Sequence, residues 1–218
     1  MKLVIGNKNY SSWSLRPWLL LRQAGIAFEE ERVSFLDPQF QARVRRYSPT
    51  GKVPVLIDGD TVVWDSLAIC EYVAELQPAL WPAARAERAQ ARAICAEMHS
   101  GFGAMRGAFP MNVCARLPGR GWSVAVEKDV DRIAAIWSGL RARHAAAGPF
   151  LFGRFSVADA YYAPVVWRFV THAPPLPAAA RDYMASMQAL PAMQAWAQAA
   201  AEENEFVPED EPYRSAPD

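Results

Sequence analysis

The β-prone segments of this chain all fall within its first 64 residues, and everything after residue 82 reads as helix or loop. Four short runs carry the β signal: KLVI at 2–5, FEEERVSF at 28–35, VPVLI at 53–57 and TVVW at 61–64. Between the first two, residues 15–24 are apolar nearly throughout and stop at Gly25, as a glycine-terminated helix does. A second short helix is expected over 37–47. IDGD at 57–60 separates the last two runs, and Asp-Gly between apolar strands signals a hairpin. From 66 to 76, Leu67, Ile69, Cys70, Val73, Ala74 and Leu76 share one helical face. The order predicts a βαβαββα unit with one right-handed parallel crossover and a final antiparallel pair.

Pro78 and Pro82 bracket Leu80-Trp81 and mark the linker. The reading is therefore two domains, an α/β unit over 1–79 and an all-α unit over 80–218. Cys95, Met98, Phe102, Met105 and Phe109 recur at spacings of three and four, which predicts one long helix over 84–109 with an apolar stripe. Such a stripe serves equally as interhelical core. Further helices are expected over 127–147 (ended by Gly148-Pro149), 157–170 (with Pro164 as a kink), 178–187 and 191–201. The tail from 203 onward, ENEFVPEDEPYRSAPD, is acidic and proline-rich and reads as irregular.

Charge narrows the function. The 23 Lys+Arg balance 23 Asp+Glu, which argues against nucleic-acid binding, where an excess of cations neutralises phosphates. With 52% hydrophobic and 21% charged residues the chain builds a core and is not disordered. No apolar run approaches the ~18 residues of a membrane span, and MKLVIGNKNY turns polar too early for a signal peptide. Three cysteines without a CxxC pair suit reduced thiols packed as small core residues, so a cytoplasmic protein is expected. His99, His144 and His172 lie far apart, so no metal site is expected. GxGxxG, GxxxxGK[ST] and GxSxG are all absent.

Three segments of the first domain remain. NYSSWSLRPW at 9–18 puts Tyr10, Ser11, Ser12 and Ser14 near a helix N-terminus, where free N–H groups and the dipole favour an anion; one serine also serves as N-cap. SPTGKVPVLI at 48–57 opens a strand with Val53-Pro54, and proline is confined to strand starts, edges and bulges. A cis bond there would turn the Val53 backbone outward. WDSLAICEY at 64–72 opens a helix with Asp65 and Ser66, ordinary capping residues.

SSWSLRPW, GKVPVL and WDSLAICEYV, in this order and followed by a helical half, resemble the glutathione S-transferase superfamily along essentially the whole chain. FSVADAYYAP at 155–164 is similar to that superfamily's buried capping box, Ser156 preceding Asp159 by three. The resemblance implies a thioredoxin-like first domain, a helical second domain, glutathione as co-substrate, a small electrophile as partner, and a homodimer built on the helices from residue 84 onward. The opening resembles the zeta and tau classes, whose thiol-activating serine lies five residues before the helix Arg. Counting back from Arg16 gives Ser11, with Ser12 as the alternative. A cysteine of the beta class would stand where Trp13 does, and the strand tyrosine of the alpha, mu and pi classes has no counterpart, since Tyr10 follows the strand.

By the same resemblance, Val53 with Pro54 pairs its backbone with the cysteinyl residue, Ser66 takes the γ-glutamyl carboxylate, Asp65 its ammonium, and Lys52 the glycyl carboxylate. A serine O–H and a helix end stabilise the thiolate without a buried cation. Met98, Phe102, Met105 and Phe109 would wall an apolar electrophile pocket faced by Trp13, with Arg106 there either for an acidic co-substrate or in a surface ion pair. The alternative is a relative that keeps the fold and binds partners without catalysis.

Overall fold

A computed structural model describes residues 1–216. Alternation sets up the first sheet. Along β1 (Lys2–Ile5), Leu3 and Ile5 point to one face and Val4 to the other, and all three are buried. β1 pairs in parallel with β2 (Glu29–Arg32) and antiparallel with β3 (Val55–Asp58), which forms a hairpin with β4 (Thr61–Val63) across Gly59 at positive φ. The strand order is β2-β1-β3-β4. α1 (Ser12–Gln23) and α3 (Ser66–Leu76) cover the Leu3 face, while α2 (Phe40–Val44) closes a small second core of Val4, Val33, Val44 and Val55 on the other. This is the expected βαβαββα arrangement, and the Val53–Pro54 peptide is cis.

The remaining helices are α4 (Arg85–Ser100), α5 (Gly103–Ala108), α6 (Val124–His144), α7 (Val157–His172), α8 (Ala178–Gln188) and α9 (Pro191–Glu202). α7 is buried nearly all round and lies between α1, α4 and α8, so it forms the axis of the molecule. Its start is the expected capping box: Ser156 N–H and Oγ–H donate to Asp159 Oδ2 at 2.9 and 3.0 Å. Pro164 lies inside α7 without ending it. Trp137 of α6 packs edge-on against Tyr162 and Tyr183 in the same core.

Four expectations need correction. The helix predicted over 84–109 is two helices: Gly101 leaves the helical conformation, and Phe102 adopts the left-handed region at φ 57°. Arg106 Nη1 then donates to the freed carbonyls of His99 and Gly101, at 3.0 and 3.4 Å. The apolar stripe runs through the break because both pieces face one core, so periodicity could not register it. α6 starts at Val124, three residues early, because Ser123 caps it through Val126 N–H. Cys114 is exposed, unlike Cys70 and Cys95. The tail is irregular but docked, as described below; its residues 217 and 218 lie outside the described residues.

Candidate functional site

Two adjoining clefts, of about 820 and 730 Å³, run between the sheet unit and the helices and share Trp13, Lys52 and Val53. The first is lined by Lys52, Val53, Pro54, Asp65, Ser66 and His99, among others; the second by Ser11, Ser12, Arg106 and Arg168. The structure thus brings together every sequence-predicted residue of the first domain. Val53 sits just before the β1–β3 ladder, which ends at Val4 opposite Val55. Lys52 is exposed beside it.

Asp65 caps α3, its Oδ1 accepting from Leu67 N–H at 2.9 Å, while Oδ2 lies 3.4 Å from His99 Nε2. The other His99 nitrogen, Nδ1, is 2.8 Å from the Tyr161 hydroxyl, itself 3.2 Å from Ser66 Oγ. A chain of polar contacts therefore links α3 to α4 and α7. Sequence reasoning missed His99 and Tyr161, because this juxtaposition joins residues 62 and 95 positions apart.

At the N-terminus of α1 the serines differ. Ser11 is the N-cap: its Oγ accepts from Ser14 N–H at 3.4 Å and donates to Ser14 Oγ at 2.7 Å. Ser12 Oγ accepts from Arg168 Nη2 at 3.2 Å. The Tyr10 hydroxyl donates to Glu211 Oε1 at 2.8 Å, and burial together with that carboxylate pushes its pKa up to about 12. Tyr10 is thereby a neutral structural donor.

The second cleft departs most from expectation. Met98, Phe102, Met105 and Phe109 are buried in the core and do not wall it. Arginines take their place. Arg106 stacks over the Trp13 ring at 4.6 Å, with Arg16 over the same ring at 4.2 Å. Among the described residues Arg106 forms no ion pair; it donates to backbone carbonyls. Arg168 donates to the carbonyls of Phe109 and Arg106 and to Ser12. Burial, then the neighbouring Arg16 and Arg106, lower its pKa to about 9. Arg16 is buried, and its Nε and Nη1 meet no hydrogen-bond acceptor among the described residues. Buried cations are therefore present beside the serines, which the mechanism expected from sequence does not require. A signal was available: Arg168 is the single charged residue besides Asp159 in the apolar α7.

Opposite Arg168 lies Asp210, on the tail that follows α9. Glu203 accepts from Lys8 N–H at 2.8 Å, Glu205 pairs with Arg32 at 2.8 Å, and buried Glu211 accepts from Tyr10 and Asn112. The tail is fastened to the loop that precedes α1.

A sheet unit of this topology, a helical half and a cleft between them define the class. The family model for the glutathione S-transferase N-terminal domain matches residues 10–76, and that for the C-terminal domain residues 119–199. The chain belongs to the glutathione S-transferase superfamily. A dichloromethane dehalogenase of Methylophilus leisingeri is 44% identical over 55 residues, 23% of this chain and 20% of that protein. A probable maleylacetoacetate isomerase of Caenorhabditis elegans is 33% identical over 93 residues, 42% of each chain. The chain thus aligns with less than half the length of these curated relatives. Among solved structures, a glutathione transferase homolog from Burkholderia with bound glutathione superposes with a TM-score of 0.70, at 23% identity, over 92% of this chain and 98% of the other.

Proposed function

We propose that the protein is a glutathione transferase that activates the glutathione thiol for attack on a small electrophile carrying an anionic group. The observation that carries this reading is the continuous cleft from Asp65 and Ser66, past Val53, to the serines at the N-terminus of α1. Glutathione lies along it as an added strand on the Val53 backbone. Its γ-glutamyl ammonium meets Asp65, its γ-glutamyl carboxylate meets Ser66 and the first N–H groups of α3, and its glycyl carboxylate meets Lys52. The cysteinyl sulfur then falls at the α1 end. A free thiol has a pKa of about 8.5, so only a few per cent is thiolate at neutral pH; a serine O–H and the helix dipole favour the anion. The thiolate lone pair forms the S–C bond, and the displaced electron pair leaves with the departing group or moves into a conjugated carbonyl.

The arginines support an anionic electrophile. Arg106 and Arg168 line the cleft where the apolar wall was expected, and one relative is named for an isomerisation of a carboxylic acid. The division at residue 79, a homodimer and a cytoplasmic location belong to this reading by family resemblance. No described helix is long and apolar enough to cross a membrane.

Titration calorimetry tests the site. Asp65→Ala should weaken glutathione about tenfold or more, the equivalent of about 1.4 kcal/mol, yet leave cysteinylglycine, which lacks the γ-glutamyl group, almost unchanged. Equal glutathione affinity in both proteins would remove Asp65 from the site. Turnover is then followed as thiol consumption with an aryl halide, an organic hydroperoxide and a disulfide, and as the ultraviolet absorbance of the double bond with a maleyl acid, because isomerisation returns the thiol; the last is expected to react fastest. Glutathione binding without turnover of any of them would favour a non-catalytic partner-binding role.

A further inference from the structure

Resting on the reading of the cleft as a glutathione site, we propose that Arg168 is the positioning residue of thiol activation, and that it selects Ser12 over Ser11 as the hydroxyl donated to sulfur. The two serines are neighbours in sequence and both line the cleft. Only their hydrogen bonds distinguish them.

Ser11 is committed to structure. Its hydroxyl proton goes to Ser14 Oγ at 2.7 Å, and Ser14 Oγ also accepts from Gly6 N–H at 3.1 Å. This closes the turn from β1 into α1. Turning that proton toward a ligand would break its bond to Ser14 Oγ and loosen this turn. Ser12 Oγ instead receives Arg168 Nη2–H. A hydroxyl that accepts a charged donor keeps its own proton to give and is polarised toward giving it.

Arg168 is suited to this work because its position is set and its charge is weakly compensated. The carbonyls of Arg106 and Phe109 fix its Nη1, so Nη2 remains for Ser12. The charged groups around it are Arg16 from α1, Arg106 from α5 and Asp210 from the tail, three cations in all against one carboxylate. The lowering of its pKa by burial and by the other two arginines expresses the same imbalance, and at about 9 it still leaves the guanidinium protonated at neutral pH. A thiolate formed beside Ser12 relieves that excess. The thiol proton passes to solvent and the electron pair stays on sulfur. Because Arg168 is 156 residues from Ser12, on the central helix of the other half, activation depends on the two halves being docked.

The test follows the ultraviolet thiolate absorbance of bound glutathione against pH, alongside calorimetric affinity for S-methylglutathione, which has no thiol to ionise. Ser12→Ala and Arg168→Met should each raise the bound thiol pKa by about one unit or more, a tenfold loss of thiolate at neutral pH, with S-methylglutathione affinity held. Arg168→Lys should recover most of the Arg168→Met shift, which a packing role alone would not give. Ser11→Ala should lower thermal stability and leave the thiol pKa in place. Should Arg168→Met fail to fold, the two serine variants decide: a pKa moved by Ser11→Ala and unmoved by Ser12→Ala overturns the proposal, as does an unmoved pKa in folded Arg168→Met. Wild-type protein that binds no S-methylglutathione refutes the glutathione reading itself, and this proposal with it.

Discussion

Asp159 is wholly buried at the start of α7 and accepts from Leu151 N–H, Ser156 N–H, Ser156 Oγ–H and Tyr183 O–H. Burial nevertheless outweighs these donors and raises its pKa from 3.8 to about 6. A carboxylate raised in the folded state binds its proton more tightly there. Its contribution to stability is full below about pH 4 and is lost as pH rises through about 6. Two units correspond to about 3 kcal/mol. Asp159→Asn, neutral at every pH but with one acceptor replaced by a donor, should be less stable than wild type at pH 4. The gap should narrow by up to about 3 kcal/mol at pH 7. Denaturant unfolding at the two pH values checks this, and a constant gap would mean that Asp159 does not titrate in that window. The pair Ser156 and Asp159 was legible in sequence because a capping box is a local pattern. Burial of its carboxylate came from the family resemblance and not from the local pattern, since it depends on contacts such as Tyr183, 24 residues away.

Elements in this protein end where the backbone demands it. α6 runs through a 3₁₀ turn at Ala145–Ala147 into Gly148, whose φ is 138°. A side chain there would collide with the backbone carbonyl of Gly153, which the chain cannot move without opening the Phe150–Gly153 bridge. Gly148→Ala should therefore cost about 1–3 kcal/mol in thermal or urea unfolding, whereas Gly139→Ala, with open space at its Cβ, should be neutral or slightly stabilising. Gly148 was readable as a stop because it follows the apolar periodicity of α6. Phe102 was unreadable as a break, because a large apolar residue at positive φ violates local preference; its side chain is buried at the junction of α4 and α5.

Across the whole molecule, the tail after α9 closes the chain on itself. Glu211 is buried and accepts from Tyr10 O–H at 2.8 Å and Asn112 Nδ2 at 2.7 Å, so it ties the loop before α1 to the segment after α5. Glu211→Ala leaves the Asn112 amide without this acceptor, and Tyr10 keeps the more distant Glu205 carbonyl. The expected loss is about 1–3 kcal/mol per orphaned donor, seen as a lower denaturant midpoint. A midpoint equal to wild type would show that the tail is not docked in solution.

Much of this organisation was written in periodicity and punctuation. KLVI and VPVLI are nearly continuous apolar runs because each strand is covered on both faces, and Pro78 and Pro82 punctuate the chain between α3 and the helices that follow. SSWS, GKVP and WDS marked the first-domain side of the cleft, since capping residues and a strand-opening proline act within a few residues of themselves. The helical side could not be read in this way. Whether Met98 or Arg106 faces the cleft depends on which helix faces α7 buries. Whether Ser11 or Ser12 is free depends on a guanidinium delivered from α7. Sequence alone determined most local conformations and the order of the elements, because those follow from propensity, capping and pattern. Tertiary structure alone decided which side chains meet, because burial and charge in the cleft arise only once distant segments exclude water together.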